Sequence, residues 1–280
     1  FLVFDQASDF WEYSAARPPD ARCFHEVVFG WMAQRYKFDI DAPAHKLDAL
    51  SVDVLQRAGI KIENARGPDD ALAKFLIESG VAAIGPTEGA DTGPEPDGSQ
   101  IGPDGAAGAQ TPRAVAREHK YDAIVGAVID AILDELYETY RCVAPVATTR
   151  EELVVAQSSG ATPGGYKFSC HIVVVPYAAA DNEEAKAFTA AVRDRLPAPV
   201  RDFVDPRVNS SLQNFRLHGS SKPGANRPKT LTDKYGTAMP ASLDATLVRP
   251  TSDVLILPRV YTSEAAQGPN PHLRSHRRCG

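Results

Sequence analysis

Tyr36-Lys37-Phe38-Asp39-Ile40-Asp41 alternates apolar and polar residues at a period of two, the period of a strand whose successive side chains leave opposite faces of a sheet. Phe38 and Ile40 then face a core, and Asp39 and Asp41 project side by side from the other face. Two carboxylates that close repel each other. A divalent cation between them is one resolution; the other is a strand end running into a turn at Ala42-Pro43, with both acids in water. The spacing alone leaves both open.

Working outward, Cys23 to Phe29 reads as a strand and Gly30 as a turn, so this strand is expected to pair with the Asp39 strand as a hairpin. His25 then faces either the acids or the far side of the sheet. After Pro43, the apolar spacing of Leu47, Leu50, Val54 and Leu55 predicts a helix from His45 to Ala58, followed by a short strand at Ile60-Lys61-Ile62. Pro68-Asp69-Asp70 opens a second amphipathic helix with Leu72, Phe75 and Leu76 inward. From Gly85 to Pro112 the chain is rich in Gly, Pro and acids, without a basic or aromatic residue before Pro112, the composition of a disordered insertion in a surface connection. Tyr121, Val125, Val128, Ile132, Leu136 and Tyr140 form the clearest helical stripe. Glu152 to Ala156 and Tyr166 to Val175 read as a β-hairpin, and Asp181 caps a helix that Pro197-Ala198-Pro199 stops near Leu196. Val254 to Leu257 reads as a last strand. Mixed strands and helices of this order predict an α+β fold in one catalytic domain over 1–280, with 85–112 inserted.

The chain has 280 residues, 43% hydrophobic and 24% charged, ordinary figures for a globular protein with a sizeable core. No apolar run reaches membrane-spanning length. The ends, Phe1 and Gly280, read as cut from a longer protein. Cys23, Cys142, Cys170 and Cys279 form no Cys-x-x-Cys pair, which argues against a disulfide framework or a complete zinc site and suits a reducing, intracellular compartment. The net charge is -6, yet Arg207 to Lys234 holds six bases against one acid, so a local basic surface survives an acidic total.

Lys167, Ser169 and His171 again follow the period of two and share one face of their strand, presenting an ammonium, a hydroxyl and an imidazole in line. A solvated strand face explains such a row equally well; three different donors suit a polyphosphate. Asp205 ends the apolar pair Phe203-Val204. Arg216 and Lys222 follow it, the first on an alternating segment Ser211 to Leu217 that also carries Asn214, the second in a Gly/Ser-rich turn able to cradle phosphate without the order of a Walker A loop.

Asp-x-Asp at 39–41, Lys-Phe-Ser-x-His at 167–171, Phe-Val-Asp at 203–205, Ser-Leu-Gln-Asn-Phe-Arg at 211–216 and Ser-Ser-Lys at 220–222 together resemble the archaeo-eukaryotic primase superfamily. Within it they are most similar to the primase domains of large nucleocytoplasmic DNA virus primase-helicases and to eukaryotic PrimPol enzymes. The resemblance runs from about Arg22 to Asn226. It implies a two-part α/β catalytic core with an RRM-like sheet and template-dependent primer synthesis from NTPs or dNTPs on single-stranded DNA. It implies that Asp39, Asp41 and Asp205 hold two Mg²⁺ or Mn²⁺ ions, and that Lys167, Ser169, His171, Asn214, Arg216 and Lys222 contact the nucleotide. Arg227 and Lys229 are expected to steer the template. A helicase in the same parent chain follows from the viral resemblance, as does a replication site in a host nucleus or cytoplasm. Gln213 stands where PrimPol enzymes tend to have arginine, Asp41 where many relatives have glutamate, and the zinc element that often follows this core is not recognisable. Two rival readings remain: a non-catalytic single-strand-binding replication module, and a glycosyltransferase using Asp-x-Asp to hold a nucleotide sugar.

Overall fold

A computed structural model describes residues 4–62, 112–146, 149–250 and 254–262. Its elements are helix α1 (Ala7–Ala15), strands β1 (His25–Phe29) and β2 (Gln34–Pro43), short helices α2 (Ala44–Ala49) and α3 (Val52–Arg57), the long helix α4 (Pro112–Tyr140), strands β3 (Leu153–Gln157), β4 (Gly160–Thr162) and β5 (Gly165–Ala179), helices α5 (Asn182–Arg195) and α6 (Ala198–Arg201), and strands β6 (Leu212–Arg216), β7 (Thr230–Thr232) and β8 (Leu255–Ile256). The fold is α+β.

β5 is the organiser. It pairs antiparallel with β2, β3 and β4 and parallel with β8, giving a sheet of order β2-β5-β3-β7 with β4 and β8 attached to β5. Opposite residues on β2 and β5 fall into two sets. Phe38 opposite Ile172, Ile40 opposite Cys170 and Ala42 opposite Phe168 belong to the main core. Asp39 opposite His171, Asp41 opposite Ser169 and Pro43 opposite Lys167 occupy the other face.

The apolar face is covered by α4 and α5. All six residues of the α4 stripe are buried in the main core. Tyr36 on β2 packs its ring against Phe188 of α5 with centroids 4.2 Å apart, and its hydroxyl meets that of Tyr140 at 2.8 Å, so one residue ties sheet to both helices. Each such aromatic contact adds roughly 0.5–1.5 kcal/mol beyond its buried area. On the opposite face, β1 and β6 form a separate antiparallel ribbon. Val28, Phe215, Val208 and Val248 close a small second core with Val173 of β5, and this ribbon roofs the face that carries the acids.

Several expectations need correction. β1 pairs with β6, not with β2. The reason lies at Gly30: its N–H donates to the Ser211 carbonyl (2.7 Å) and its carbonyl accepts from Asn182 N–H (2.8 Å). A Cβ on Gly30 would stand 2.8 Å from Ser211 Cα, so only glycine allows three segments this close. The Glu26 carboxylate completes the anchor by accepting from Val248 and Arg249 N–H, both at 2.7 Å. The helix expected over His45 to Ala58 is two helices broken at Leu50-Ser51, where the Ser51 hydroxyl accepts from Val54 N–H and starts α3. Residues 60–62 form no strand. The helix expected after Pro68 and the acidic stretch up to residue 111 lie outside the described residues. Cys23 and Cys170 are free thiols, whereas Cys142 is disulfide-bonded, a bond that the cysteine spacing does not suggest. Among the described residues no helix is long and apolar enough to cross a membrane.

Asp181 caps α5 as expected, accepting from Glu184 N–H. Glu184 itself is fully buried and its carboxylate accepts from the N–H groups of Val260, Tyr261 and Thr262 and from the Thr262 hydroxyl. This clamp attaches the last described segment to the helix layer. Glu184→Ala is expected to lower the unfolding free energy by about 3 kcal/mol in urea titration, because hydrogen bonds to a charged group contribute roughly 1.5–3 kcal/mol each and the freed amides regain only part of that from water; a loss below about 1 kcal/mol would show that the clamp carries no stability.

Candidate active site

The site lies on the polar face of β2 and β5, beneath the β1–β6 ribbon. Strand alternation sends Asp39 and Asp41 to this face, and the antiparallel register sets His171 and Ser169 directly opposite them. The third acid arrives from a remote stretch of chain. Ile40 forms an isolated antiparallel bridge with Val204, Asp205 N–H donates to the Asp39 carbonyl and Asp41 N–H donates to the Phe203 carbonyl, both at 2.9 Å. Asp205 is thereby the residue opposite Asp39 on the outer side of β2, and the three carboxylates occupy neighbouring backbone positions.

Their side chains have separate partners. Lys167 Nζ lies 2.7 Å from an Asp41 oxygen, and an Asp205 oxygen accepts from Arg207 N–H at 2.9 Å. His171 Nε2 stands 3.7 Å from Asp39 Oδ1, beyond hydrogen-bond range. Among the described residues, no group of three His, Cys, Asp or Glu side chains is gathered as a ready ligand set. Asp39 is the least satisfied of the three acids. Its Oδ1 is buried without a hydrogen-bond partner. Burial, followed by the charges of Asp41 and Asp205, pushes its carboxyl up to about 6 against the opposing pull of Lys229 and Lys167. The three acids offer oxygen donors, the type that hard divalent cations take, from neighbouring backbone positions, although their side chains are not gathered into one ligand set.

The basic side of the site comes from β5, β6 and the segment after it. His171 is buried, with its ring stacked on Phe215 at 4.1 Å between centroids. Burial, then the positive charges of Lys229, Arg216, Lys222 and His25, hold its pKa well below 6.5. It is therefore a neutral hydrogen-bonding group, not a third cation. Ser169 is buried, and its N–H donates to the Ser159 hydroxyl while its carbonyl accepts from Ser158 N–H. Arg216 is buried at the end of β6, donating to the Ser158 hydroxyl at 2.9 Å. Lys222 is exposed in its turn, yet its charge is felt at His171. Asn214 is exposed, opposite Val27, and its neighbour Phe215 is the β6 residue that touches His171. His25 pairs with Arg216 at the start of β1 and is exposed, and of the named charges acting on His171 its own is the smallest.

Lys229 departs most from expectation. It is fully buried, its Nζ has no hydrogen-bond partner among the described residues, and burial lowers its pKa to about 7. A residue so placed does not sit on an outer template-facing surface. Nothing in the sequence marks it: Lys229 immediately precedes the three-residue strand β7, which the apolar pattern does not reveal. Ser158 and Ser159 are the other omissions; in sequence they are only part of a turn.

The neutral state of His171 can be checked directly. Its folded pKa lies below the unfolded 6.5, so the unfolded chain binds the extra proton and this residue's burial costs stability only as pH falls through and below about 6.5. In metal-free protein the imidazole ¹³Cε1 and ¹⁵N shifts of His171 are expected to stay flat from pH 8 down to 6. A titration midpoint near 6.5 would show a solvated ring.

No family model matches the chain. Curated relatives do. It is 31% identical over 268 residues to a protein of African swine fever virus (strain Badajoz 1971 Vero-adapted) provisionally named as a helicase/primase complex protein, an alignment covering 94% of this chain and 20% of that one. The counterparts from isolates Pig/Kenya/KEN-50/1950 and Warthog/Namibia/Wart80/1980 are each 32% identical, over 94% of this chain and 19% and 20% of theirs. The chain spans about a fifth of the length of these relatives. Along nearly its whole length, this chain is homologous to one segment of these viral helicase/primase complex proteins.

Proposed function

We propose that this chain is the primase part of a viral replication protein, a template-dependent nucleotidyltransferase that makes primers on single-stranded DNA from NTPs or dNTPs. The observation that carries the reading is the placement of Asp39 and Asp41 directly across from His171 and Ser169, with Lys167 next along β5 reaching Asp41 and Asp205 beside Asp39 on the outer side of β2. Acids on one side and phosphate-type donors on the other form the two halves that phosphoryl transfer needs. Homology to helicase/primase complex proteins supports the same reading, and by that relation a helicase in the same parent chain is a proposed partner.

Asp39, Asp41 and Asp205 would hold Mg²⁺ or Mn²⁺, with the orphaned Asp39 Oδ1 as the oxygen most in need of one. Bound there, such ions would supply Lewis-acid activation of a hydroxyl nucleophile and charge neutralisation at the phosphates. The chain's own groups then have separable tasks. Lys167 leaves Asp41 for a phosphate oxygen when the acid gains another counter-charge, and its flexible ammonium suits that exchange. Arg216, fixed by Ser158, offers a planar fork at a set angle. Neutral His171, held flat by Phe215, donates or accepts one hydrogen bond and orients the nucleotide. Lys222, exposed, meets the triphosphate from the solvent side. Asn214 completes the nucleotide contacts that we propose, from the exposed face of β6.

A second reading has an observation in its favour. Lys167 already neutralises Asp41, and no three-ligand cluster is gathered among the described residues, as a non-catalytic single-strand-binding module would have it. One pair of variants separates the two. Asp39→Ala and Asp205→Ala are each expected to lower primer synthesis on single-stranded DNA in Mn²⁺ by about a hundredfold or more, the scale on which one electrostatic contact to a transition state acts, while single-strand affinity stays within about threefold of wild type. Unchanged synthesis by either variant overturns the metal assignment. Salt-sensitive DNA binding without synthesis by the wild-type chain favours the module.

A further inference from the structure

Three buried donors beside the acids have no partner among the described residues: Lys229 Nζ, Arg216 Nε and the Ser220 hydroxyl. Their grouping is enforced by backbone. Lys229 N–H donates to the Ser220 carbonyl at 3.0 Å and Gly219 N–H donates to the Lys229 carbonyl at 2.8 Å. Arg216 is drawn to the same place, its guanidinium donating to Ser158 and, at 3.4 Å, to the Arg227 carbonyl. The two cations feel each other's charge. Asp39 and Asp41 act on them from a distance, but among the described residues no carboxylate lies within ion-pair range of Lys229 or Arg216.

Two desolvated cations that raise each other's cost, each with an unused donor, are unfavourable unless a buried anion joins them. Surface steering of a template would leave Lys229 in water, where a lysine is cheapest. An ordinary structural lysine would reach a carbonyl or a carboxylate, as Lys37 in this protein reaches Gln34 and Asn209. The requirement of the cluster is for an anion with several acceptor oxygens, reachable from the neutral His171 and Ser169 next to it. Two linked phosphate groups satisfy it. They present more acceptor oxygens, over a longer span, than the two of a single carboxylate.

We infer that Lys229 and Ser220, with Arg216, form an inner subsite for the phosphate chain of the nucleoside triphosphate, so that Lys229 binds substrate rather than template. The inference rests on the nucleotidyl-transfer reading for the identity of the anion, and it adds two residues to that site.

The test is calorimetric titration of the chain with inorganic pyrophosphate in excess EDTA, which removes the metal from the question. Wild type binds. Lys229→Met is expected to weaken binding tenfold or more and Ser220→Ala severalfold, whereas Lys186→Met, which removes an exposed lysine of α5, leaves it unchanged. If Lys229 serves only as counter-charge to Asp39, Lys229→Met binds pyrophosphate as wild type does and binds Mn²⁺ more tightly; that result overturns the inference. Should Lys229→Met fail to fold, wild-type protein with ¹³Cε-labelled lysines decides: pyrophosphate is expected to shift the Lys229 signal, assigned by its loss in Lys229→Arg, and an unmoved signal overturns the inference. Primer synthesis by the wild type is scored separately. Synthesis without Lys229-dependent pyrophosphate binding sinks the subsite and keeps the primase reading; the reverse sinks the primase reading and keeps the anion site.

Discussion

The alternation of side chains along β5 is the constraint from which the rest of the molecule follows. Fifteen residues in one extended run serve as partner to four other strands. Phe168, Cys170, Ile172 and Val174 must face the helices, which leaves Lys167, Ser169 and His171 no direction but the other. A slip of one residue against β2 would bury a lysine and a histidine among α4 side chains and set Phe168 and Ile172 among carboxylates. Because β3 and β4 are registered on the same strand, that slip would also break two further ladders. The chemistry of the polar face thus inherits its alignment from hydrophobic packing on the apolar one.

The polar face is itself largely dry. The ribbon of β1 and β6 covers it through Val28 and Phe215, and the charged groups respond. Asp39 is pushed toward protonation, Lys229 and Lys37 toward the neutral amine, and His171 toward the uncharged ring. Burial is the leading cause in every case. Charges this dearly held in a low-dielectric space make the site responsive to an incoming ion or phosphate, because every new counter-charge acts with little screening.

Much of this was legible in the sequence, and the limits have physical causes. The strands carrying Asp39 and His171 show because one of their faces is apolar, and the α4 stripe shows because it is long. Pairing is another matter. β1 ends at Phe29 and β6 begins at Leu212, and nothing local says that Gly30 docks on Ser211 instead of turning β1 back onto β2. Asp205 illustrates the same limit: its importance entered through resemblance to a family, and its own neighbourhood, Phe203-Val204-Asp205-Pro206, contains no sign of the bridge to Ile40. Lys229 is misplaced in the sequence because a lysine between proline and threonine reads as solvated, and the three-residue strand that follows it is too short to show.

β2 is the terminal strand of its sheet, and a strand in that position ordinarily offers its unpaired N–H and C=O groups to any neighbouring molecule. Here the outer side is spoken for at two points. Arg35 N–H donates to the Val248 carbonyl, and the stretch Phe203–Asp205 takes the hydrogen-bonding groups of Asp39 and Asp41. The loop that delivers the third acid is therefore also the guard that keeps this edge from recruiting another chain. The placement of Asp205 beside Asp39 and the protection of this edge rest on the same two backbone hydrogen bonds, so neither property is free to drift without the other.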